Sequence, residues 1–146
     1  MQPALHIRRL AACLCLLTAL FAFRVLAQLA QSVVDLPFLP PFAAWDSAAL
    51  PYWLLLAAQI VILVLMIRIA ACFSHAYPTP RLWIGRWLLG VGTVYFGLML
   101  ARLILGLTVL PDHPWVGRPI PALFHLVLAG FVLILGAWHY REGANR

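Results

Sequence analysis

Four long apolar runs dominate the chain, and polar residues gather between them. The runs cover residues 10–30, 51–73, 82–107 and 121–140, so each is 20–26 residues long. A helix of about 20 apolar residues crosses about 30 Å of hydrocarbon. Hydrophobicity does not alternate at period two, which argues against barrel strands. Backbone groups in lipid must bond within their own segment, so the runs are predicted to be helices. The pattern predicts an all-α integral membrane protein: an antiparallel four-transmembrane-helix bundle forming one domain over residues 1–146.

Prolines punctuate the boundaries. Pro37, Pro40 and Pro41 break the first connection, Pro78 and Pro80 the second, and Pro111, Pro114, Pro119 and Pro121 the third. Pro51 stands where a helix tolerates proline, at its first position. The first connection, residues 31–50, is unusually apolar: Val33, Val34, Leu36, Phe38, Leu39, Phe42 and Trp45 would sit poorly in water. It is expected to lie in the membrane interface or to fold over the helix ends as a cap. Small residues recur at helical spacing in Thr93, Gly97 and Ala101, and in Ala122, Ala129 and Gly136. Such stripes let helix backbones approach closely in membranes, within the bundle or against a partner subunit.

Composition supports lipid as the solvent. The chain is 65% hydrophobic and 10% charged, with a mean hydropathy of +0.99. A soluble domain is about half apolar and about a quarter charged. The net charge of +6 does not signal nucleic-acid binding, because the arginines are scattered at segment ends. Arg8, Arg9, Arg68, Arg81, Arg86, Arg141 and Arg146 share one side, whereas the other side's loops carry Arg118 with Asp35, Asp46 and Asp112. The positive-inside rule then expects both termini in the cytoplasm of a bacterial inner membrane. The tryptophans divide likewise: Trp45, Trp53 and Trp115 at one boundary, Trp83, Trp87 and Trp138 at the other, as an aromatic belt on each face. The first apolar run resembles a signal peptide but is followed by Arg24, Gln28 and Gln31 without a convincing cleavage site, so a retained helix is expected. Cys13, Cys15 and Cys72 are expected to be small packing residues.

The chemistry lies in a few polar positions inside the runs. Arg24 and Arg102 are permanently charged, and a guanidinium in hydrocarbon needs a partner or a route to water. Counting about 1.5 Å per residue puts Arg24, Gln28, Gln59, Arg102 and His125 in one layer in the outer half of the membrane. Two roles are open to it. The loop carboxylates of Asp35, Asp46 and Asp112, with loop carbonyls, would act as counter-ions and pin the cap. Alternatively the layer binds a lipid headgroup or a quinone, for which arginine, glutamine and histidine supply the hydrogen bonds.

His125 and His139 lie fourteen residues apart, about 21 Å along one helix face. This spacing resembles that of the paired haem ligands on one helix of di-haem membrane b-type cytochromes. The resemblance implies a haem near each membrane face. His125 has no partner histidine inside the membrane, so the form it leaves open is one haem b held by His75 and His139.

No run carries Asp or Glu, and no nucleophile–base set or phosphate loop is present. No catalytic residue is assigned. The expected role is a non-catalytic accessory or structural subunit of a larger membrane complex, which associates with other membrane subunits or itself and with membrane lipid. An electron-transfer module with haem b and a stand-alone lipid-binding or lipid-modifying protein are the alternatives.

Overall fold

A computed structural model describes residues 2–46, 50–75 and 78–145. Five helices follow one another: α1 (Gln2–Val33), α2 (Phe42–Trp45), α3 (Tyr52–His75), α4 (Leu82–Thr108) and α5 (Pro119–Ala144). No strand occurs among the described residues. The four long helices are each apolar enough to cross a membrane, so this is an all-α, multi-pass membrane protein. Their outward faces carry Leu16, Val61 and Val94, each more than half exposed, which suits lipid and would be untenable in water. α1 begins about two turns before residue 10, because nothing after Pro3 interrupts a helix there.

The helices pack as an open row in the order α3–α1–α5–α4. Among the described residues α3 and α4 do not meet. Each interface is antiparallel. Gln59 near the start of α3 meets Gln28 near the end of α1, and the start of α4 meets the end of α5 through Arg81 and His139. The core joins α1, α3 and α5 through Leu14, Phe21, Val25, Met66, Phe73, Phe131 and Trp138.

The α4–α5 contact is the closest. Gly85, Gly92 and Gly106 are buried on α4, at intervals of seven and fourteen. Ala122, Ala129 and Gly136 are buried on α5, at intervals of seven. This seven-residue repeat keeps one face of each helix against the other. A Cβ on Gly136 would lie 2.9 Å from Leu88 Cβ and 3.0 Å from the Leu89 nitrogen, and one on Gly85 would collide with the Tyr140 backbone. The α5 stripe read from sequence therefore packs inside the bundle. Thr93, Gly97 and Ala101 instead lie on the exposed side of α4.

The apolar first connection folds as the cap expected of it. α2 packs on α1 and α5, with Trp45 buried, while Val33, Val34 and Phe38 stay exposed at the boundary. Two assignments change. Trp45 and Trp138 are core residues at 3% and 4% exposure, whereas Trp53, Trp83, Trp87 and Trp115 remain at the surface as belt residues. All three cysteines project outward instead of packing, because their helix faces turn away from neighbours.

Replacing Gly136 with valine is expected to destabilise the protein by about 1–3 kcal/mol through overpacking at the α4–α5 contact. Gly97→Ala, where an added Cβ meets nothing within 4 Å, should not lower stability. Unfolding in mild detergent followed by circular dichroism measures both.

Candidate functional site: a roofed cleft between α3 and α5

α3 and α5 both flank α1 without packing directly on each other as helices. At the end bearing the termini, Phe73 and Trp138 close this gap edge to face, with ring centroids 4.7 Å apart. Toward the α2 end smaller side chains leave it open. The result is a cleft of about 190 Å³ with Phe21 and Arg24 of α1 at its floor. Gln59 and Ile62 of α3 form one wall, and Phe124, His125 and Leu128 of α5 form the other.

α2 roofs the cleft. Trp45 stacks on Phe124 at 6.2 Å and meets Phe23 of α1 edge-on at 6.4 Å. Phe42 meets Tyr52 at the start of α3 at 5.1 Å. A four-residue helix is too short to persist alone. Polar contacts hold it instead. Gln31 Nε2 and Trp45 Nε1 both donate to the Pro40 carbonyl, at 2.8 and 2.9 Å, while the Leu36 amide donates to Gln31 Oε1 at 2.7 Å. Arg118 Nη1 donates to the carbonyls of Ala43 and Asp46, both at 2.7 Å. Arg24 Nη2 reaches the Trp45 carbonyl at 3.4 Å. The last carbonyls of a helix have no partner within it, so the end of α2 is a natural acceptor for two guanidiniums.

Arg102 lies apart. Its guanidinium carbon is 4.1 Å from the centre of the Trp115 ring, and Nη2 donates to the Trp115 carbonyl at 2.7 Å. It grips the α4–α5 connection on the α4 side of α5 and does not line the cleft. The five-residue layer thus separates. Arg24, Gln59 and His125 face one cleft, Gln28 sits fully buried behind Gln59, and Arg102 serves the neighbouring loop.

The expected loop counter-ions act differently too. Among the described residues no carboxylate of Asp35, Asp46 or Asp112 pairs with Arg24 or Arg102, and both arginines use main-chain carbonyls. Asp46 contributes its carbonyl to Arg118, and its buried Oδ1 has no hydrogen-bond partner in the protein.

Inside the cleft the hydrogen-bonding groups are only partly used. Gln59 Nε2 donates to Gln28 Oε1 at 3.3 Å, which leaves Gln28 Nε2 and Gln59 Oε1 buried without partners. Rotating both amides reverses the bond and still leaves one donor and one acceptor. Arg24 has five N–H donors and one long hydrogen bond among the described residues. His125 Nδ1 is bonded to the Tyr95 hydroxyl at 2.5 Å, so Nε2 is its remaining nitrogen.

Tyr95 and Arg118 were not singled out from the sequence. Tyr95 is seven residues before Arg102, two turns along the same face of α4, and that spacing was the available signal. Arg118 precedes α5 and looked like a loop charge.

The proposed haem ligands are not brought together. His139 Nδ1 accepts from the Arg81 amide at 3.2 Å, on the α4 side of α5. Phe73 of α3 faces Trp138, and His75, two residues on, projects about 200° around the helix, where it is exposed. The two imidazoles therefore do not fit one haem. Among the described residues no cluster of three or more His, Cys, Asp or Glu forms.

Arg118→Met is expected to loosen the roof, costing about 1 kcal/mol through the hydrogen bonds lost at two carbonyls that are not fully buried. Hydrogen exchange at the amides of residues 44–46 should accelerate selectively. Asp35→Asn and Asp112→Asn should leave that exchange unchanged.

No protein-family model, curated protein or solved structure matches this chain.

Proposed function

We propose that this protein holds the polar head of a bilayer amphiphile in the cleft between α3 and α5, as a non-catalytic accessory subunit of a larger membrane assembly. One observation carries the reading. A buried Gln28–Gln59 pair with an orphaned donor and acceptor stands beside an arginine with unused donors, at an apolar cleft. A buried polar group without a partner costs about 1–3 kcal/mol, so a ligand that gives Gln59 a hydrogen-bond partner and Arg24 an oxygen acceptor stabilises the site. A guanidinium and two amides hold a ligand; they do not attack one.

α2 packs over Phe124 at the loop-side end of the cleft, which favours lateral entry from the lipid between α3 and α5. The amphiphile's chain then stays in hydrocarbon while its head turns inward toward Arg24. The exposed Thr93, Gly97 and Ala101 stripe on α4 supports the subunit part of the reading, because small residues admit a partner helix. The arginine asymmetry supports a bacterial inner-membrane location with cytoplasmic termini.

Native mass spectrometry in mild detergent tests the cleft. The wild-type chain should release a bound amphiphile on activation, and Leu128→Trp, which fills the cleft without touching its polar groups, should abolish that adduct. An equal adduct on both proteins would show that the cleft is not the site. A reporter fused after Arg146 tests orientation: fluorescence from a cytoplasm-dependent reporter is expected, and activity from a periplasm-dependent one would reverse the topology.

A further inference from the structure

We propose that the amphiphile is a quinone, whose carbonyl oxygen is taken by Arg24 and His125 and whose ring lies on the Gln59 wall. This rests on the reading of the cleft as an amphiphile site and adds the chemical class of the head.

Depth is the first reason. Arg24 lies nine residues before the end of α1, about 13 Å inside it, and Gln59 seven residues into α3, about 10 Å. His125 lies six residues into α5, about 9 Å. Trp45 and Phe124 stand between this depth and the loop side. A phosphodiester would have to carry its charge well into hydrocarbon to reach Gln59 and His125, which is costly. A quinone ring is neutral and already dissolves there.

The amide pair is the second. Gln59 is on the cleft wall, and its orphaned group is the oxygen. That oxygen accepts from a quinol O–H. Rotating both amides keeps the Gln28–Gln59 bond and turns the orphaned group of Gln59 into N–H, which donates to a quinone carbonyl. The same pair thus answers both redox forms, whereas a phosphate offers only acceptors.

The third is the Tyr95–His125 bond. Occupying Nδ1 leaves Nε2 for the ligand and fixes the plane of the imidazole. Nε2 carries a proton when the tyrosine donates and is bare when it accepts, so it too matches a carbonyl or a hydroxyl. Tyr95 is a positioning residue here, acting through His125.

The test uses the full chain in nanodiscs of phosphatidylcholine. It is titrated with a decyl-substituted para-benzoquinone, with the corresponding quinol, and with phosphatidylglycerol bearing a fluorescent chain. Both redox forms of the quinone should bind saturably. Gln59→Leu and His125→Phe should each weaken them about tenfold, as expected for one hydrogen bond lost to a buried group. Infrared spectra should show the carbonyl stretch of bound quinone lowered from its value in empty nanodiscs. His125→Phe should return it toward that value, and Tyr95→Phe should shift it, which loss of packing alone would not do. Leu128→Trp, which leaves every polar group in place, guards against misfolding of the other variants and should abolish binding. If phosphatidylglycerol binds and Leu128→Trp removes it while the quinone does not bind, the quinone assignment is overturned and the amphiphile cleft stands. If neither ligand binds in a manner sensitive to Leu128→Trp, both readings fall.

Discussion

A guanidinium keeps its charge at any depth in a membrane, and the rest of this structure is arranged around satisfying three of them. Arg24, Arg102 and Arg118 all turn to main-chain carbonyls, those of Ala43, Trp45, Asp46 and Trp115. Carbonyls are dipoles without net charge, and among the described residues they, not a carboxylate, take the hydrogen bonds of Arg24 and Arg102. They are available only where a helix ends or a loop turns. The arginines therefore bind the connections to the bundle, and the connections in return make the arginines tolerable. Four-residue α2 exists because of this exchange, since it could not hold its shape alone.

The same constraint shapes the distances between helices. α4 and α5 spend their glycines and alanines on each other, so their backbones nearly touch and leave no space between them. α3 has no such stripe. Among the described residues its helix does not pack on α5, and Phe73 and Trp138 span the gap at the end bearing the termini. A cleft follows wherever that bridge is missing, provided something holds the open end in place. The α2 roof, anchored to α1, α3 and α5 by Trp45 and Phe42, does so.

Much of this was legible in the chain. Span lengths and prolines gave the four helices, the hydrophobicity of residues 31–50 gave the cap, and residue counting placed Arg24, Gln59 and His125 near one depth. Depth is a one-dimensional property and can be read from position along a helix. Azimuth is not legible in the same way, because a helix apolar on every side does not show which face meets which neighbour. That is why Arg102 belongs to the Trp115 loop and not the cleft, why His139 faces α4 and not His75, and why Gly85 and Gly92 pack while Gly97 does not. Tyr95 escaped notice for the same reason: only its rotation toward α5 makes it a partner of His125.

Arg24 and Arg102 are alike in sequence context, and the difference between them locates the site. Arg102 combines a 2.7 Å hydrogen bond with an aromatic face at 4.1 Å, leaving its Nε alone unmatched among buried atoms. Those contacts clamp the Trp115 loop to α4. Arg24 has a single bond of 3.4 Å and an aromatic ring at 5.9 Å. Those longer contacts leave its guanidinium free to take a further acceptor, such as a ligand oxygen. The cleft adjoins Arg24, whose hydrogen bond and aromatic contact are the longer ones, and beside it the Gln28–Gln59 pair is unfinished, with an acceptor and a donor to spare. Structural and binding roles are thus separated by how closely each arginine is held, a distinction that burial alone does not make.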